Sequence, residues 1–198
     1  MRRDMREDFP LMGPGDCALV EDTQTAGHPI VACACLWHEE WAFEGIQFNV
    51  GRPESIATHP NYRDRGLIRS LMNMIHARSQ AQGHLVQVIS GIPFFYRQFD
   101  YEYALDFGGK RVTYLALIPE LEQPGPEAYT LRVATTGDIP RIMELYEHRR
   151  VISLVSAVAP ERYWQYMVDR WNDPSTVWKR SSCTWDEQPN LCGCGYFW

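Results

Sequence analysis

The stretch THPNYRDRGLIRSLM, residues 58–72, constrains the fold of this chain more than any other segment. A strand-like segment leads into it, and an amphipathic helix pattern begins at Leu67. Arg63, Arg65 and Arg69 lie at the start of this helix, where the helix dipole disfavours cations unless an anion binds. The stretch therefore favours a strand–turn–helix unit that binds an anion at the helix start.

The chemistry of this turn fits a diphosphate. The unpaired backbone N–H groups of a helix N-terminus point toward a bound anion. Gly66 has no Cβ, so the backbone can approach a phosphate closely, and the arginines add charge-assisted hydrogen bonds. The same residues also fit a solvated basic helix start, and the turn alone does not separate the two interpretations.

Composition places the chain among folded globular proteins. Its 198 residues are 45% hydrophobic and 13% aromatic, which is ample for a buried core and argues against disorder. The formal net charge of -6 gives no global attraction to nucleic acid or to an anionic membrane. No apolar run approaches the roughly 20 residues of a membrane span, and MRRDMREDFP has no apolar signal core. We expect a cytoplasmic protein without nucleic-acid or membrane partners.

The six cysteines predict no metal site. Cys33 and Cys35 alternate within an apolar run, as small hydrophobic residues of a strand do. Cys183, Cys192 and Cys194 lack the paired C-x-x-C spacing and the nearby histidine that are typical of zinc sites. We expect structural or free thiols.

Hydrophobic periodicity and turn residues predict a mixed order of strands and helices up to residue 118. Strands are expected at 17–22, 30–37, 43–58 and, as a buried strand, 84–90. Pro53 predicts a bulge or a break in the third of them. The helix from Leu67 is expected to end in a left-handed conformation at Gly83. One or two helical turns follow at 94–99, and a hairpin turns at Gly108–Gly109.

A second unit is predicted beyond a linker. Residues 119–128 are rich in proline and glutamate, as flexible connections often are. A short strand at 130–133 and helices near 138–149 and 160–170 follow, and the stretch after them has no clear pattern. The predicted division is therefore residues 1–118, the linker, and a partial second unit, residues 129–198.

The segment RDRGLIR, residues 63–69, resembles motif A of the GNAT superfamily of N-acetyltransferases, Q/R-x-x-G-x-G/A. Arg63 and Gly66 match its first and fourth positions, and Ile68 departs from the small residue usual at the sixth. That bulky residue, the following Arg69 and the later GIPFFYRQFDYEYAL are most similar to the enhanced-intracellular-survival (Eis) branch. The Eis branch has R-x-x-G-L-L-R and a Tyr-x-x-Phe-Gly-Tyr element in the same order.

The resemblance covers about residues 17–118 as one module, and residues 129–170 resemble the opening strand and helices of a second. It implies a mixed, mostly antiparallel central sheet with flanking helices, and acetyl-CoA as the acetyl donor. It also implies contacts for three parts of acetyl-CoA and a general acid. The pantetheine contacts are Ile56, Ala57 and Thr58; the pyrophosphate contacts are Arg63, Asp64, Arg65, Gly66, Leu67, Ile68 and Arg69; the thioester contacts are Gly91 and Ile92; and the general acid is Tyr96.

Two points of the chemistry stay open at this level. Tyr96 also fits a core aromatic residue when the resemblance is set aside. No general base stands out, because Eis-like enzymes use their own C-terminal carboxylate, in a terminal domain for which this sequence has no counterpart. The candidates by sequence proximity alone, each of which also fits a solvated surface role, are Glu39, Glu40, Glu44 and Glu54.

The sequence favours an N-acetyltransferase that acts on an amine of a small molecule or a peptide. A CoA-binding module without catalysis is the alternative, and a phosphate-binding or nucleic-acid-binding protein of another class fits the acidic charge poorly. Only 16 residues precede the first predicted strand, so we expect a truncated tandem acetyltransferase, feebly active and inclined to form homo-oligomers. The other possibility is that the second unit folds back and completes the first module.

Overall fold

The computed structural model describes residues 9–92, 94–105, 114, 117 and 132–172. Its strands are β1 (Cys17–Glu21), β2 (Ile30–Phe43), β3 (Ile46–Thr58), β4 (Val86–Gln87) and β5 (Val155–Val158). Its α-helices are α1 (Leu67–Ala81), α2 (Ile139–Val151) and α3 (Glu161–Asn172), and its short 3₁₀ helices are Pro14–Asp16, Pro60–Tyr62, Phe95–Phe99 and Thr136–Asp138.

The five strands form one sheet in the order β1-β2-β3-β4, and β5 also pairs with β2. β3 and β4 run parallel, whereas β2 is antiparallel to β1, β3 and β5. The predicted fold class, a mixed and mostly antiparallel sheet with flanking helices, is confirmed.

The hairpin of β2 and β3 is longer than the pattern predicts. β2 continues past residue 37 to Phe43, and the turn falls at Glu44 and Gly45, inside the predicted strand 43–58. Both turn residues have positive φ, 48° and 83°, as in the type I′ turn that matches the twist of two antiparallel strands. Glutamate rarely adopts a positive φ, so the sequence gives no clear signal for this turn.

Pro53 lies within β3 without interrupting it. The carbonyl groups of Asn49 and Gly51 accept hydrogen bonds from N–H groups on the β4 side, so alternate residues of β3 face β4. Pro53 is the next residue in this alternation and lies beyond the last β3–β4 pair, so its missing N–H removes no ladder bond. The predicted bulge occurs slightly later, around Ser55, where φ is 54° and the register to β2 shifts.

Helix α1 covers one face of the sheet, as its apolar pattern predicts. Leu71, Met72 and Ile75 are buried, and Leu71 and Ile75 pack against Leu36 of β2. Gly83, just beyond the helix, has a φ of 74°, which confirms the left-handed stop. Because β3 and β4 are parallel, α1 is the crossover that connects them.

The buried strand predicted at 84–90 is wrong in both length and burial. β4 consists of Val86 and Gln87, and the side chains of Leu85 and Val86 are exposed by 75% and 41%. β4 is an edge strand that leaves β3 after a short parallel pairing, so one side of it has no neighbouring strand among the described residues. A short apolar run does not by itself distinguish a central strand from such an edge.

Residues 139–172 return to the same sheet. β5 pairs antiparallel with the last four residues of β2, and the Glu44 N–H donates to the Leu154 carbonyl at 3.0 Å. The Tyr146 hydroxyl of α2 donates to the Ala157 carbonyl of β5 at 2.7 Å. The segment that contains α2 and β5 is therefore part of the same sheet assembly as β2.

Helices α2 and α3 confirm the helices predicted near 138–149 and 160–170. Of the strand predicted at 130–133, the structure describes only Arg132 and Val133, and neither is in a strand. They lead into the 3₁₀ helix Thr136–Asp138, which comes directly before α2. β5, which the sequence analysis does not predict, follows α2.

The predicted hairpin at Gly108–Gly109, the linker 119–128 and the stretch 173–198 lie outside the described residues. The division into two units and a linker stays a prediction.

A chain of polar side chains lies between the sheet and α1, next to Gly51. Ser79, which is fully buried, shares a hydrogen bond of 2.9 Å with Nδ1 of His84. His84 Nε2 lies 3.1 Å from Nδ1 of His38, and His38 Nε2 lies 3.0 Å from the carboxylate of Asp16. A Cβ at Gly51 would lie 2.8 Å from His84 Nδ1 and still closer to the Ser79 hydroxyl. Glycine is therefore the residue that this packing allows.

We expect Gly51→Ala to lower the free energy of unfolding by about 1–3 kcal/mol, because the added methyl overfills a closely packed site. Urea unfolding followed by circular dichroism measures the change. Gly137→Ala is the control, since a Cβ there would lie 3.7 Å from the Thr135 hydroxyl, its nearest neighbour among the described residues. Equal stability of Gly51→Ala and the parent chain would contradict the packing of Ser79 and His84 against β3.

Candidate functional site

The parallel strands β3 and β4 separate and leave an opening at their carboxyl ends. The Val88 N–H donates to the Gly51 carbonyl at 3.0 Å, and β3 then continues to Thr58 without a strand partner on this side among the described residues. We call the opening between Arg52–Thr58 and Val88–Ile92 the wedge. In open sheets with parallel strands, ligands bind at the carboxyl ends of those strands.

The predicted pantetheine contacts form the last residues of β3, on one side of the wedge. The Ile56 side chain packs against the core under α1, so a ligand would meet its backbone. Ala57 is exposed. The Thr58 hydroxyl is buried and has no hydrogen-bond partner among the described residues, which is uncommon for a buried polar group. This end of β3 therefore offers backbone groups to a polar ligand, beside a buried hydroxyl that lacks a partner among the described residues.

The predicted pyrophosphate contacts surround the first turn of α1. Gly66 is the N-cap residue, with a φ of 73°, and Asp64 is also left-handed, with a φ of 60°. Because Gly66 has no side chain, the first-turn N–H groups receive no side-chain cap from it. Leu67 and Ile68 pack their side chains against the core. Any contact of these two residues with an anion would be through the backbone.

The arginines of this turn have different surroundings. Arg65 donates to a carbonyl of the preceding turn at 3.1 Å, and its guanidinium carbon lies 4.7 Å from the centroid of the Tyr62 ring. Arg69 donates to a glutamine of the 3₁₀ helix Phe95–Phe99 at 3.1 Å and so connects the start of α1 with that helix. Arg63 is exposed. Positive charge is thus held beside uncapped N–H groups.

Tyr96 lies against the chain that leaves β4. A Cβ at Gly91 would lie 2.5 Å from Cε2 of Tyr96, so the ring occupies the space that a side chain would need. Burial raises the pKa of the Tyr96 phenol, and the negative charge of Glu54 raises it further. The phenol therefore stays protonated at neutral pH and can donate a proton. Ile92, predicted beside the thioester, is 65% exposed.

Tyr101 holds the segment that carries Tyr96. Its hydroxyl donates to the Gln87 side chain at 2.9 Å and lies 3.1 Å from Nε2 of His76, which ties the segment to β4 and α1. Its N–H donates to the Tyr96 carbonyl at 3.3 Å. Burial raises the pKa of the Tyr101 phenol. Asp100, in the turn between them, has a φ of 66°, as expected for a position where the Eis branch has glycine.

A buried ion cluster lies on the opposite face of β3 from α1. Arg52 is 6% exposed, and its guanidinium binds Glu54 at 2.7 Å and Glu39 at 3.2 Å. The same guanidinium lies 3.4 Å from the Ser90 hydroxyl, next to Gly91. Two carboxylates share one cation, so the formal charge of the cluster is negative. Burial raises the pKa of Glu54 and the charge of Glu39 adds to this, whereas the charge of Arg52 opposes it.

The comparison with protein families decides the identity of this fold. A family model described as an acetyltransferase (GNAT) domain matches residues 2–104, just over half of the chain. This chain belongs to the GNAT acetyltransferase family. The match to the GNAT family contains the wedge, the start of α1, Tyr96 and Tyr101.

Solved structures similar to this GNAT chain include an acetyltransferase from Trypanosoma brucei, at 19% identity and a TM-score of 0.40, over 50% of this chain and 70% of that one. A GCN5-related N-acetyltransferase from Kribbella flavida has 20% identity and a TM-score of 0.49, over 73% of this chain and 38% of that one. Glucosamine-6-phosphate N-acetyltransferase from Arabidopsis thaliana has 13% identity and a TM-score of 0.40, over 50% and 67%. No curated protein matches the chain.

The residues that sequence analysis selects for this GNAT chain fall on three neighbouring segments. Ile56–Thr58 end β3, Arg63–Arg69 begin α1, and Gly91, Ile92 and Tyr96 follow β4. Contacts join two of these segments, through Arg69 and the helix that carries Tyr96. The roles of these residues in binding and catalysis stay predictions.

Sequence analysis missed the residues that support the site from behind. The sequence does not indicate that Arg52 is buried, because a buried arginine in a strand cannot be distinguished from an exposed one before the strand pairings are known. Tyr101 was visible only as part of the Eis-like element, and its partners His76 and Gln87 come from α1 and β4. Among the candidate bases, Glu54 has a pKa that burial raises, and its charge also raises the pKa of Tyr96.

Proposed function

We propose that this chain is an N-acetyltransferase that moves an acetyl group from acetyl-CoA to a primary amine of a small molecule or a peptide. The observation that carries the proposal is the wedge, where an edge of β3 without a strand partner among the described residues leads to the start of α1, whose N-cap Gly66 provides no side-chain cap. Membership of an acetyltransferase family supports acyl transfer as the general class of reaction. Among the described residues, no helix is long and apolar enough to cross a membrane.

In this proposal the wedge and the start of α1 bind different parts of acetyl-CoA. On the side of β3 away from β2, the backbone of Ile56–Thr58 would pair with the amides of the pantetheine arm, as an added strand pairs with a sheet edge. The N–H groups of α1 and the side chains of Arg63, Arg65 and Arg69 would hold the pyrophosphate. Gly91 leaves the thioester end close to Tyr96. Positioning of the thioester would then supply part of the rate enhancement.

Tyr96 is the proposed general acid. Attack of a neutral amine on the thioester carbonyl forms the C–N bond, and the C–S bond breaks to release a thiolate. The phenol, whose pKa is raised by burial and by Glu54, would give its proton to that sulfur. The nitrogen loses its surplus proton to solvent as the amide forms, and the Tyr96 phenolate recovers a proton from solvent.

Glu54 is the proposed general base. An alkylammonium with a pKa near 10.4 is about one part in a thousand neutral at pH 7, so removal of its proton assists attack. The pKa of Glu54 is raised by burial, which brings its basicity closer to that required at neutral pH. The shared negative charge of Glu54 and Glu39 also favours a cationic acceptor near this face.

We also propose that the chain is most similar to the Eis branch. The support is the R-x-x-G-x-x-R spacing of residues 63–69 and the left-handed Asp100, which occupies the glycine position of the Tyr-x-x-Phe-Gly-Tyr element.

Charge reversal in the α1 turn tests acetyl-CoA binding. We expect Arg65→Glu to weaken binding by about 1–3 kcal/mol, because a charged hydrogen bond is lost and a repulsive charge is added. Isothermal calorimetry with acetyl-CoA measures the affinity. Arg162→Glu, an exposed position on α3, makes the same change of net charge and is expected to bind normally.

The outcomes of this experiment separate the candidate functions. Equal affinity of Arg65→Glu and the parent would remove the pyrophosphate site from α1, and no binding by the parent would overturn the proposed function. A panel of primary amines, assayed by release of the CoA thiol, then tests catalysis. Tight binding without thiol release would favour a non-catalytic CoA-binding module.

A further inference from the structure

Two cysteines lie directly opposite each other on neighbouring strands. Cys17 of β1 and Cys35 of β2 are partners in the antiparallel register, and their Sγ atoms lie 3.0 Å apart. Directly opposed residues of an antiparallel pair have Cα atoms about 4.5–5.5 Å apart, which lies within the range that disulfides span. The strands therefore need no rearrangement for the two sulfurs to bond.

We propose that Cys17 and Cys35 are a redox-reactive thiol pair, a site at which a small-molecule disulfide introduces a cross-strand bridge between β1 and β2. The third described cysteine is placed differently. Cys33 pairs with Leu19 in the register, and its thiol donates to the Ser55 carbonyl of β3 at 3.3 Å. The geometry thus selects one pair among the three described thiols.

The two thiols differ in access, which gives the reaction an order. Cys17 is half-buried, whereas Cys35 is fully buried, and burial raises the pKa of the Cys35 thiol. The Cys17 thiolate attacks one sulfur of the small disulfide, forms a mixed disulfide and releases one small thiol. Cys35 then attacks the Cys17 sulfur, loses its proton to solvent and releases the second small thiol. Two protein thiols are oxidised and one small disulfide is reduced.

The bridge would lie beside the proposed catalytic face. In the register, Cys35 is the partner of Cys17 on one side and of Glu54 on the other, so the three residues form one row across β1, β2 and β3. This row joins an edge strand to the strand that carries Arg52 and Glu54. The proposal does not depend on the acetyltransferase assignment, because it concerns only thiols and strand register.

Oxidation of the full chain with glutathione disulfide tests the proposal. After free thiols are blocked with iodoacetamide, cleavage at Glu21 and Glu39 separates the peptide with Cys17 from the peptide with Cys33 and Cys35. We expect mass spectrometry to show these two peptides linked, and the link to disappear on reduction. We expect the melting temperature of the oxidised chain to rise by about 5 °C or more, because the bridge restricts the unfolded chain.

Two single variants identify the partners. Cys33→Ser should keep both the link and the rise in melting temperature, and Cys17→Ser should lose both. Loss of the link in Cys33→Ser would show that Cys17 bonds to Cys33 and not to Cys35, which would overturn the proposal. The proposal also fails if both thiols are fully alkylated after oxidation, or if Cys17 is linked instead to Cys183, Cys192 or Cys194.

Discussion

Tyr96→Phe is expected to lower kcat by about 10²-fold while the affinity for acetyl-CoA changes little. Positioned proton transfer contributes roughly 10²–10⁴-fold, and the variant removes the only proton that this side chain can give. The ring itself remains in place against Gly91, so the site keeps its shape. Steady-state kinetics with the best amine of the panel, together with calorimetry, separate the two effects.

Tyr103→Phe provides a matched control. It removes a phenol from the same segment, where the Tyr103 hydroxyl accepts a hydrogen bond from the Phe94 N–H at 2.8 Å, and Tyr103 is 63% exposed. Its kcat should stay within about threefold of the parent value. If Tyr96→Phe turned over as fast as the parent, Tyr96 would be a packing residue and not an acid.

Glu54→Gln is expected to lower kcat/KM at neutral pH by about 10²-fold, through loss of the general base. The amide keeps the size of the side chain and can still accept from Arg52, so Arg52 and Glu39 keep a partner. The change also leaves one carboxylate on the guanidinium, which makes the cluster formally neutral. Circular dichroism and thermal unfolding confirm that the variant is folded.

The pH profile tests the role of Glu54 more sharply than the rate at one pH. A base must be deprotonated, so kcat/KM of the parent should fall as the pH drops through the pKa of Glu54, which burial raises above its ordinary value. Glu54→Gln should lack this acid limb. Glu161→Gln, an exposed carboxylate on α3, should keep both the rate and the limb. An unchanged acid limb in Glu54→Gln would mean that another group is the base.

The parts of the fold that could be predicted are those with local signals. The helix pattern from Leu67 and the stop at Gly83 depend on residues within one segment, and α1 follows both. The left-handed turn before α1 follows from the position of Gly66. These local features place the candidate anion site, which is why the sequence alone suggested it.

The parts that could not be predicted depend on contacts between distant segments. The pairing of β5 with β2 joins residues more than a hundred positions apart, and no local pattern encodes it. The raised pKa of Glu54 requires the burial that arises only when β2 and β3 pair and Arg52 is enclosed. The exposure of Leu85 and Val86 follows from the position of β4 at the end of the described sheet, which the apolar sequence does not reveal.

Pro53 affects which ligands can pair with the side of β3 that lacks a strand partner among the described residues. An unpaired strand edge invites a peptide from another chain to add as a further strand, and such addition needs a regular series of donors and acceptors. Pro53 interrupts that series because it has no backbone N–H. The positive φ of Ser55 makes the backbone irregular two residues later. A peptide strand would lose bonds along this edge, whereas a flexible chain with only a few widely spaced amides would lose little. Addition of a peptide strand, and aggregation through it, is therefore disfavoured at this edge, whereas pairing with a flexible ligand that has few amides is not.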